Sequence, residues 1–327
     1  MSSLSMSRAI REGLYEEMQR DENVIVVGED MGTMGNPFGI TLGFLDEFGE
    51  NRVIETPICE SGFTGLSVGA AMRGIRPVVE LMYVDFIGVA MDPVMNQAAK
   101  MRYMTGGQVS IPMVIRAPIG AGRRNAGQHS QTLEPLFTHI PGLKVVAPST
   151  PADAKGLIKA AVRDDDPVIF LEHKLLYAVK GEMPDGDDDY VIPLGQANIT
   201  RSGKDVTIIA WSRQVLFANE AADALAKEGI NCEVIDLRTL VPLDWETIKT
   251  SIQKTHHLVI VQEGYKRSGF AGEIATQVVE ELFDELDAPI QRVAGLNVVP
   301  PFSPPLEDAF FPNVNDIIET VKKVVRE

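Results

Sequence analysis

The sequence predicts an α/β protein of two three-layer α/β/α domains, the first built on a mainly parallel sheet and the second smaller. Three observations carry this. Short apolar runs of strand length alternate with helix-length amphipathic segments along both halves, the pattern of parallel strands joined by helical crossovers. The chain has 327 residues, 45% of them hydrophobic, which suffices for two ordinary cores. An acidic stretch, Pro184–Asp189, interrupts the alternation near the middle. The domains are therefore set at 1–190, linker included, and 191–327. A calcium loop at Pro184–Asp189 would need a full set of spaced oxygen ligands ending in glutamate; that spacing is absent, so a solvated linker is expected.

Residues 8–20 read as a helix with Ile10, Leu14 and Met18 on one face. Asn23–Val27 is an apolar run that reads as a buried strand, closed by Gly28-Glu29-Asp30. The glycines of 31–40 and Pro37 make a loop. A helix over Leu42–Phe48 and a strand over Arg52–Glu55 follow. Pro57 disfavours helix at the residue before it, so the next helix starts near Glu60, and Gly74 is its stop. Its residues are small or apolar nearly all round, which predicts burial on every side. Ser61, Gly65 and Gly69 fall four apart on one face. Strands are expected at Pro77–Met82, Met113–Arg116, Lys144–Ala147 and Val168–Leu171, a long helix at about 86–104, and another at Ala152–Val162. In the second half, strands are expected at Asp205–Trp211, Cys232–Asp236, Leu258–Gln262 and Gln291–Ala294. Helices are expected at Val215–Lys227, Asp244–Lys254, Gly272–Asp284 and Val314–Arg326, with a rigid loop at Pro300–Pro305.

The charge excludes some function classes. Lys+Arg is 30 against Asp+Glu 46, a net of −16, the wrong sign for nonspecific nucleic-acid binding. No run approaches the 18 apolar residues of a membrane helix. Cys59 and Cys232 make no disulfide framework. The start, Met1–Arg8, lacks the apolar core of a secretory signal and the length and arginines of a transit peptide. A cytoplasmic chain is the expectation, or one in the mitochondrial matrix that has lost its leader. G-x-G-x-x-G after a strand, G-x-x-x-x-G-K-[ST], H-E-x-x-H and C-x-x-C are all absent, which removes the usual nucleotide and zinc readings.

Carboxylates and one histidine remain. Glu60 opens an apolar helix, where it either complements the helix dipole or serves a ligand, since a buried carboxylate needs a partner. Glu29 ends a buried strand, and ligands of open α/β sheets sit beyond the carboxyl ends of strands. Glu29, Glu60 and Phe86 are thus expected at one sheet edge. His129 lies in the mobile-looking loop 117–131; such a histidine is ordinarily a solvated surface group, but beside two buried acids it becomes an acid/base candidate.

These residues fall in a familiar order. Glu60-x-x-x-x-Gly65-Leu66-x-x-Gly69-Ala70 resembles the glutamate motif of thiamin-diphosphate enzymes. Gly28-Glu29-Asp30, Glu55-Thr56-Pro57, Gln128-His129-Ser130-Gln131, Pro141–Val146, Asp153–Leu157 and Pro304–Asp308 resemble, in register, the β subunit of the decarboxylating first component of 2-oxo acid dehydrogenase complexes. The resemblance spans essentially the whole chain. It implies a pyrimidine-binding first domain and a transketolase C-terminal-like second domain that serves assembly. It also implies an α subunit, in an α2β2 heterotetramer, that holds magnesium and the diphosphate. No Gly-Asp-Gly diphosphate motif occurs here, in keeping with that division of labour.

By the same resemblance, Glu60 hydrogen-bonds a ring nitrogen of the aminopyrimidine and favours its imino tautomer. Phe86 stacks on that ring and Ile58 packs beside it, although for Ile58 plain core is an equal reading of the sequence. Glu29 joins an acidic proton path. His129 assists acyl transfer to a lipoyl group of the acyltransferase component, whose subunit-binding domain the second domain contacts. Met113, Ala161, Val162, Asp164 and Asp166 stand where relatives bind potassium; the alternative is a helix-to-strand turn. The substrate implied is a small 2-oxo acid, foremost pyruvate. Acetoin cleavage and a branched-chain 2-oxo acid are alternatives, the last disfavoured by Phe86 where tyrosine is usual. A transketolase-like group transferase and a non-catalytic scaffold subunit are the readings from other classes.

Overall fold

A computed structural model describes residues 3–32, 34–184 and 189–326. Residues 185–188 of the expected linker, three aspartates and Gly186, lie outside that set. The chain forms two compact units: residues 1–119 with 136–194, and residues 120–135 with 195–327. Gly120–Pro135, the loop carrying His129, therefore belongs to the second unit although it falls within the 1–190 stretch.

In the first unit, strand β1 (Ser3–Ser5) leads into helix α1 (Met6–Arg20). The sheet strands are β2 (Val24–Gly28), β3 (Val53–Glu55), β4 (Arg76–Glu80), β5 (Val114–Ile119), β6 (Lys144–Val146) and β7 (Val168–His173). A short β8 (Lys180–Glu182) returns antiparallel to β1. The six sheet strands lie in the order β6-β7-β5-β4-β2-β3, every pairing parallel. They are buried because helices cover both faces. On one face α1 crosses α7 (Pro151–Arg163) so closely that a Cβ on Gly13 would meet Ile158 Cγ2 at 2.6 Å. The same contact is edged by Arg163 donating to Glu17 and Lys159 to Glu16.

Helices α2 (Phe44–Phe48) and α3 (Glu60–Ala71) form where expected. The long helix expected over 86–104 is instead four pieces: a 3-10 turn at Val84–Phe86, α4 (Ile87–Asp92), a π-helical stretch at Pro93–Ala98 and α5 (Met101–Met104). Pro93 accounts for the break, since it has no N–H to give and its ring crowds the preceding turn. A further short helix, α6 (Glu134–Thr138), is absent from the sequence reading. Nor is α3 buried all round. Leu66 is 60% exposed, and Ser61, Gly62 and Gly69 share its open side. A Cβ on Gly69 would meet nothing within 4 Å, and one on Gly65 only Pro93 Cβ at 3.9 Å, so among the described residues no backbone packs closely on the Gly65 and Gly69 end of the small-residue face.

The second unit has strands β9 (Asn198–Arg201), β10 (Val206–Ala210), β11 (Cys232–Asp236), β12 (Thr239–Val241), β13 (Leu258–Tyr265) and β14 (Gln291–Gly295). Five of them form a sheet ordered β14-β13-β10-β11-β9, parallel except for the β9 edge. Helices α8 (Gln214–Ala226), α9 (Trp245–Thr255), α10 (Phe270–Leu282) and α12 (Val314–Arg326) match expectation. A short α11 (Pro304–Asp308) replaces part of the proline loop. The core joins Ile208, Val234 and Val259 of the sheet to Ala218 and Leu225 of α8 and Ile317 and Val321 of α12. Among the described residues no helix is long and apolar enough to cross a membrane.

Candidate functional site

Glu29, Glu60, Glu80 and Glu172 lie at the carboxyl ends of parallel strands of the first unit. Glu29 follows β2 directly. Glu60 is the first residue of α3, reached from β3 by the Thr56–Cys59 turn, which Thr56 N–H anchors on Gly28 O at 2.9 Å. Glu29 is 7% exposed and Glu60 8%. Among the described residues neither carboxylate has a hydrogen-bond or ion-pair partner. Burial, then the Glu60 and Asp30 carboxylates, raise the pKa of Glu29 above its ordinary value. The α3 N-terminus favours an anion, but Cys59 gives it no side-chain cap. Two adjacent buried acids without a donor are therefore available to a ligand that brings one.

Phe86, half-buried, closes the turn after β4 at this edge. Its ring meets Tyr83 edge-on at 5.7 Å; Tyr83 meets Phe38 at 6.3 Å, and Phe38 meets Tyr177 at 4.8 Å. Ile58 is 81% exposed, so the plain-core reading of it is overturned: among the described residues no apolar cluster holds it. Gly65-Leu66-Ser67-Val68-Gly69 has the spacing of a hydrolase nucleophile elbow. It lies inside α3, however, with Ser67 buried and donating to Phe63 O at 2.8 Å, whereas an elbow needs an exposed serine on a strand-to-helix turn.

His129 stands in the second unit, half-buried, its N–H directed at Ala126 O. The loop that carries it is held at several points and is not a free excursion. Ala121 N–H donates to Glu263 at 2.9 Å, Gly122 N–H to Glu307 at 3.0 Å, and Gly120 N–H to Gln131 O at 3.0 Å. Arg124 adds ion pairs to Glu307 and Asp308. Buried Glu134 accepts from Trp211 Nε1 at 2.9 Å, and burial pushes its carboxyl up to about 7.

The five positions of the expected potassium site do converge at the β4–α7–β7 end. Arg76 donates to Val162 O at 3.1 Å and Asp164 O at 3.0 Å, Val168 N–H to Met113 O at 2.9 Å, and Asp164 N–H to Ala161 O at 3.3 Å. Asp164 and Asp166 both pair with Lys144, and Asp166 also with Arg102. Each of those four carbonyls has a second lone pair, and three cationic side chains, Arg76, Lys144 and Arg102, sit among them.

One grouping is invisible in linear order. Glu80, Arg116 and Glu172 occupy β4, β5 and β7, and all three are buried. Arg116 donates to Glu80, and to Glu172 at 2.6 and 2.8 Å; Tyr177 donates to Glu172 at 2.7 Å and Asn36 to Glu80 at 2.7 Å. The available signal was a charged residue in each of three otherwise apolar strand runs.

Comparison with known proteins shows the family of both domains. The family described as "Transketolase, pyrimidine binding domain" matches residues 2–180, and "Transketolase, C-terminal domain" matches residues 195–317. The beta subunit of acetoin:2,6-dichlorophenolindophenol oxidoreductase from Cupriavidus necator is 48% identical, over 99% of this chain and 98% of that one. The beta subunit of the pyruvate dehydrogenase E1 component is 47% identical in Rhizobium meliloti, over 99% of this chain and 70% of that one. The same subunit is 48% identical in Rickettsia felis, over 98% of each chain. A split-gene transketolase, solved as an inactive beta4 tetramer, shares the fold with a TM-score of 0.81 at 22% identity, over 99% of both chains. The chain therefore belongs to the transketolase-type family of paired pyrimidine-binding and C-terminal domains, among the beta subunits of pyruvate and acetoin dehydrogenases.

Proposed function

We propose that this chain is the β subunit of a thiamin-diphosphate-dependent 2-oxo acid dehydrogenase, with pyruvate as its foremost substrate. The observation that carries this reading is the pair of buried carboxylates, Glu29 and Glu60, without a partner among the described residues, at the same sheet edge as half-buried Phe86. Thiamin diphosphate, when bound, supplies the carbon nucleophile and electron sink that decarboxylation of a 2-oxo acid requires. Glu60 holds a ring nitrogen of its aminopyrimidine by hydrogen bond, in a site whose low dielectric strengthens that bond. Phe86 stacks on the ring, and exposed Ile58 packs beside it. Glu29, its pKa raised by burial and by the Glu60 and Asp30 carboxylates, joins Glu60 in an acidic proton path. His129 serves the later transfer of the acyl unit to a lipoyl group of an acyltransferase component.

An α subunit supplies magnesium and the diphosphate site in an α2β2 assembly. The open face of α3, with exposed Val89 and Tyr103 on the segments after β4, supports such a partner. The second unit docks the acyltransferase; electrostatic steering by an acidic surface predicts weaker association at higher salt. Potassium at Met113, Ala161, Val162, Asp164 and Asp166 should raise the thermal midpoint over choline at equal ionic strength; no shift would discard that site. Two free cysteines fit a reducing cytoplasm, which cell fractionation tests.

Acetoin is the second reading, favoured by the 48% identity to an acetoin-oxidising relative. Co-expression with the α subunit, followed by assay of pyruvate, acetoin and branched 2-oxo acids with thiamin diphosphate and magnesium, separates the substrates. Turnover of none of them would sink the proposal.

A further inference from the structure

Residues 29–32 and 34–43 include Glu29, which has no partner among the described residues, and the side chain of Asn36 ties several of them together. Asn36 is 2% exposed and adopts a left-handed φ of 67°, just after Gly35 at 66°. Its Oδ1 accepts from Phe38 N–H at 2.7 Å and Ile40 N–H at 3.3 Å. Its own N–H returns to Asp30 O at 2.8 Å, one residue from Glu29. Its Nδ2 reaches out of the loop to Glu80 Oε2 at 2.7 Å. Glu80 is in turn fixed by Arg116, which Glu172 grips with both oxygens and Tyr177 backs. Two routes thus run from Asn36 to the site. One is backbone, through Asp30 to Glu29. The other is aromatic, from Phe38 through Tyr83 to Phe86.

We propose that Asn36 is a positioning residue for the cofactor pyrimidine, and that its hydrogen bond to Glu80 is the tie that sets Glu29 and Phe86 in register with Glu60. The inference rests on the thiamin-diphosphate reading above. Glu80 is suited to the role because it faces Asn36 from β4, Arg116 from β5 and Glu172 from β7, and its other oxygen, Oε1, is buried without a partner. Burial first, and then the Glu172 carboxylate, push it up to about 7. An excess carboxylate beside one guanidinium is sensitive to any added charge at position 36.

The test uses N36D, E80Q and the double variant, each co-expressed with the α subunit, and reads the Kd for thiamin diphosphate, kcat, and amide exchange across 34–43. N36D sets two carboxylates face to face. Its Kd should rise about tenfold at pH 8, the scale of a broken charged hydrogen bond, and less at pH 6, where Glu80 takes up its proton. E80Q alone should raise Kd less, because an amide still offers Asn36 an acceptor. In the double variant the charge at 80 that opposes the carboxylate at 36 is gone, so Kd should fall clearly below that of N36D. Amide exchange should accelerate in N36D and recover in the double variant. Folded single variants that bind like wild type, or a double variant no better than N36D, would overturn the inference. A wild-type complex that does not bind thiamin diphosphate at all would overturn the parent reading and this one with it.

Discussion

The two units bury acids in opposite ways. In the second unit, Glu134, Glu263 and Glu307 each accept from a named donor: Trp211, Ala121 N–H, and Gly122 N–H with Arg124. Those bonds hold the His129 loop, so the carboxylates serve the fold. In the first unit, Glu29 and Glu60 repel one another and among the described residues have no donor, while Glu80 and Glu172, also at the strand ends, are bound to Arg116. Burial without a partner destabilises a chain, and such destabilised groups concentrate where a ligand acts. Burial alone therefore does not single out a functional acid, and the two acids without a donor among the described residues are the ones offered here to a ligand.

Removing a partner from a structural acid should break that contrast most severely. Arg116→Met leaves Glu80 and Glu172 uncompensated and should destabilise the first unit by about 3–5 kcal/mol, read by denaturant unfolding. An unchanged midpoint would mean that the network is not structural. Next comes Glu134. Its folded pKa, about 7, lies above its ordinary 4.5. The stability it contributes is therefore complete below pH 4.5 and lost as pH rises through 7. Glu134→Gln mimics the protonated form, so between pH 5 and 9 it should gain on wild type by up to roughly 3 kcal/mol. A pH-independent difference would contradict the raised pKa. Trp211 fluorescence offers a second readout of the same titration.

Glu307→Gln keeps the size but weakens the bonds to Gly122, Arg124 Nη1 and the Arg124 backbone. A loss of roughly 2 kcal/mol is expected, the scale of hydrogen bonds to charged groups, with faster amide exchange across 120–131. The smallest effect belongs to the acid without a donor. Glu29→Gln relieves repulsion from Glu60, so the thermal midpoint should hold or rise slightly, within about 0.5 kcal/mol. A loss as large as that of Glu307→Gln would abolish the distinction between the units.

Much of this was legible in linear order because it rests on local pattern. The run Val24–Gly28 is all apolar, and a buried parallel strand reads that way. Pro57 and Gly74 bracket α3 by their backbone limits, and Gly74 does take a φ of 91°. Glu29, Glu60 and Phe86 could be placed at one edge because each follows a strand of the same sheet. What escaped depends on long-range meetings. The β1–β8 ribbon joins residues 3–5 to 180–182. Arg116 meets Glu80 and Glu172 only after three strands align, and Asn36 meets Glu80 across 44 positions. The His129 loop looked mobile because glycine-rich composition says nothing of Glu263 and Glu307, which arrive from far along the chain. The broken helix after Phe86 was foreseeable from Pro93 alone.

The account stands or falls on Glu60. The direct measurement is decarboxylation of pyruvate, and of acetoin turnover in parallel, by the complex of the α subunit with Glu60→Gln, beside the thermal midpoint of the variant chain. The predicted result is a kcat lowered by about 10²-fold or more, the scale of a positioned proton-handling group, with a midpoint equal to or above wild type. Near-normal turnover, or activity lost only in step with stability, would contradict it.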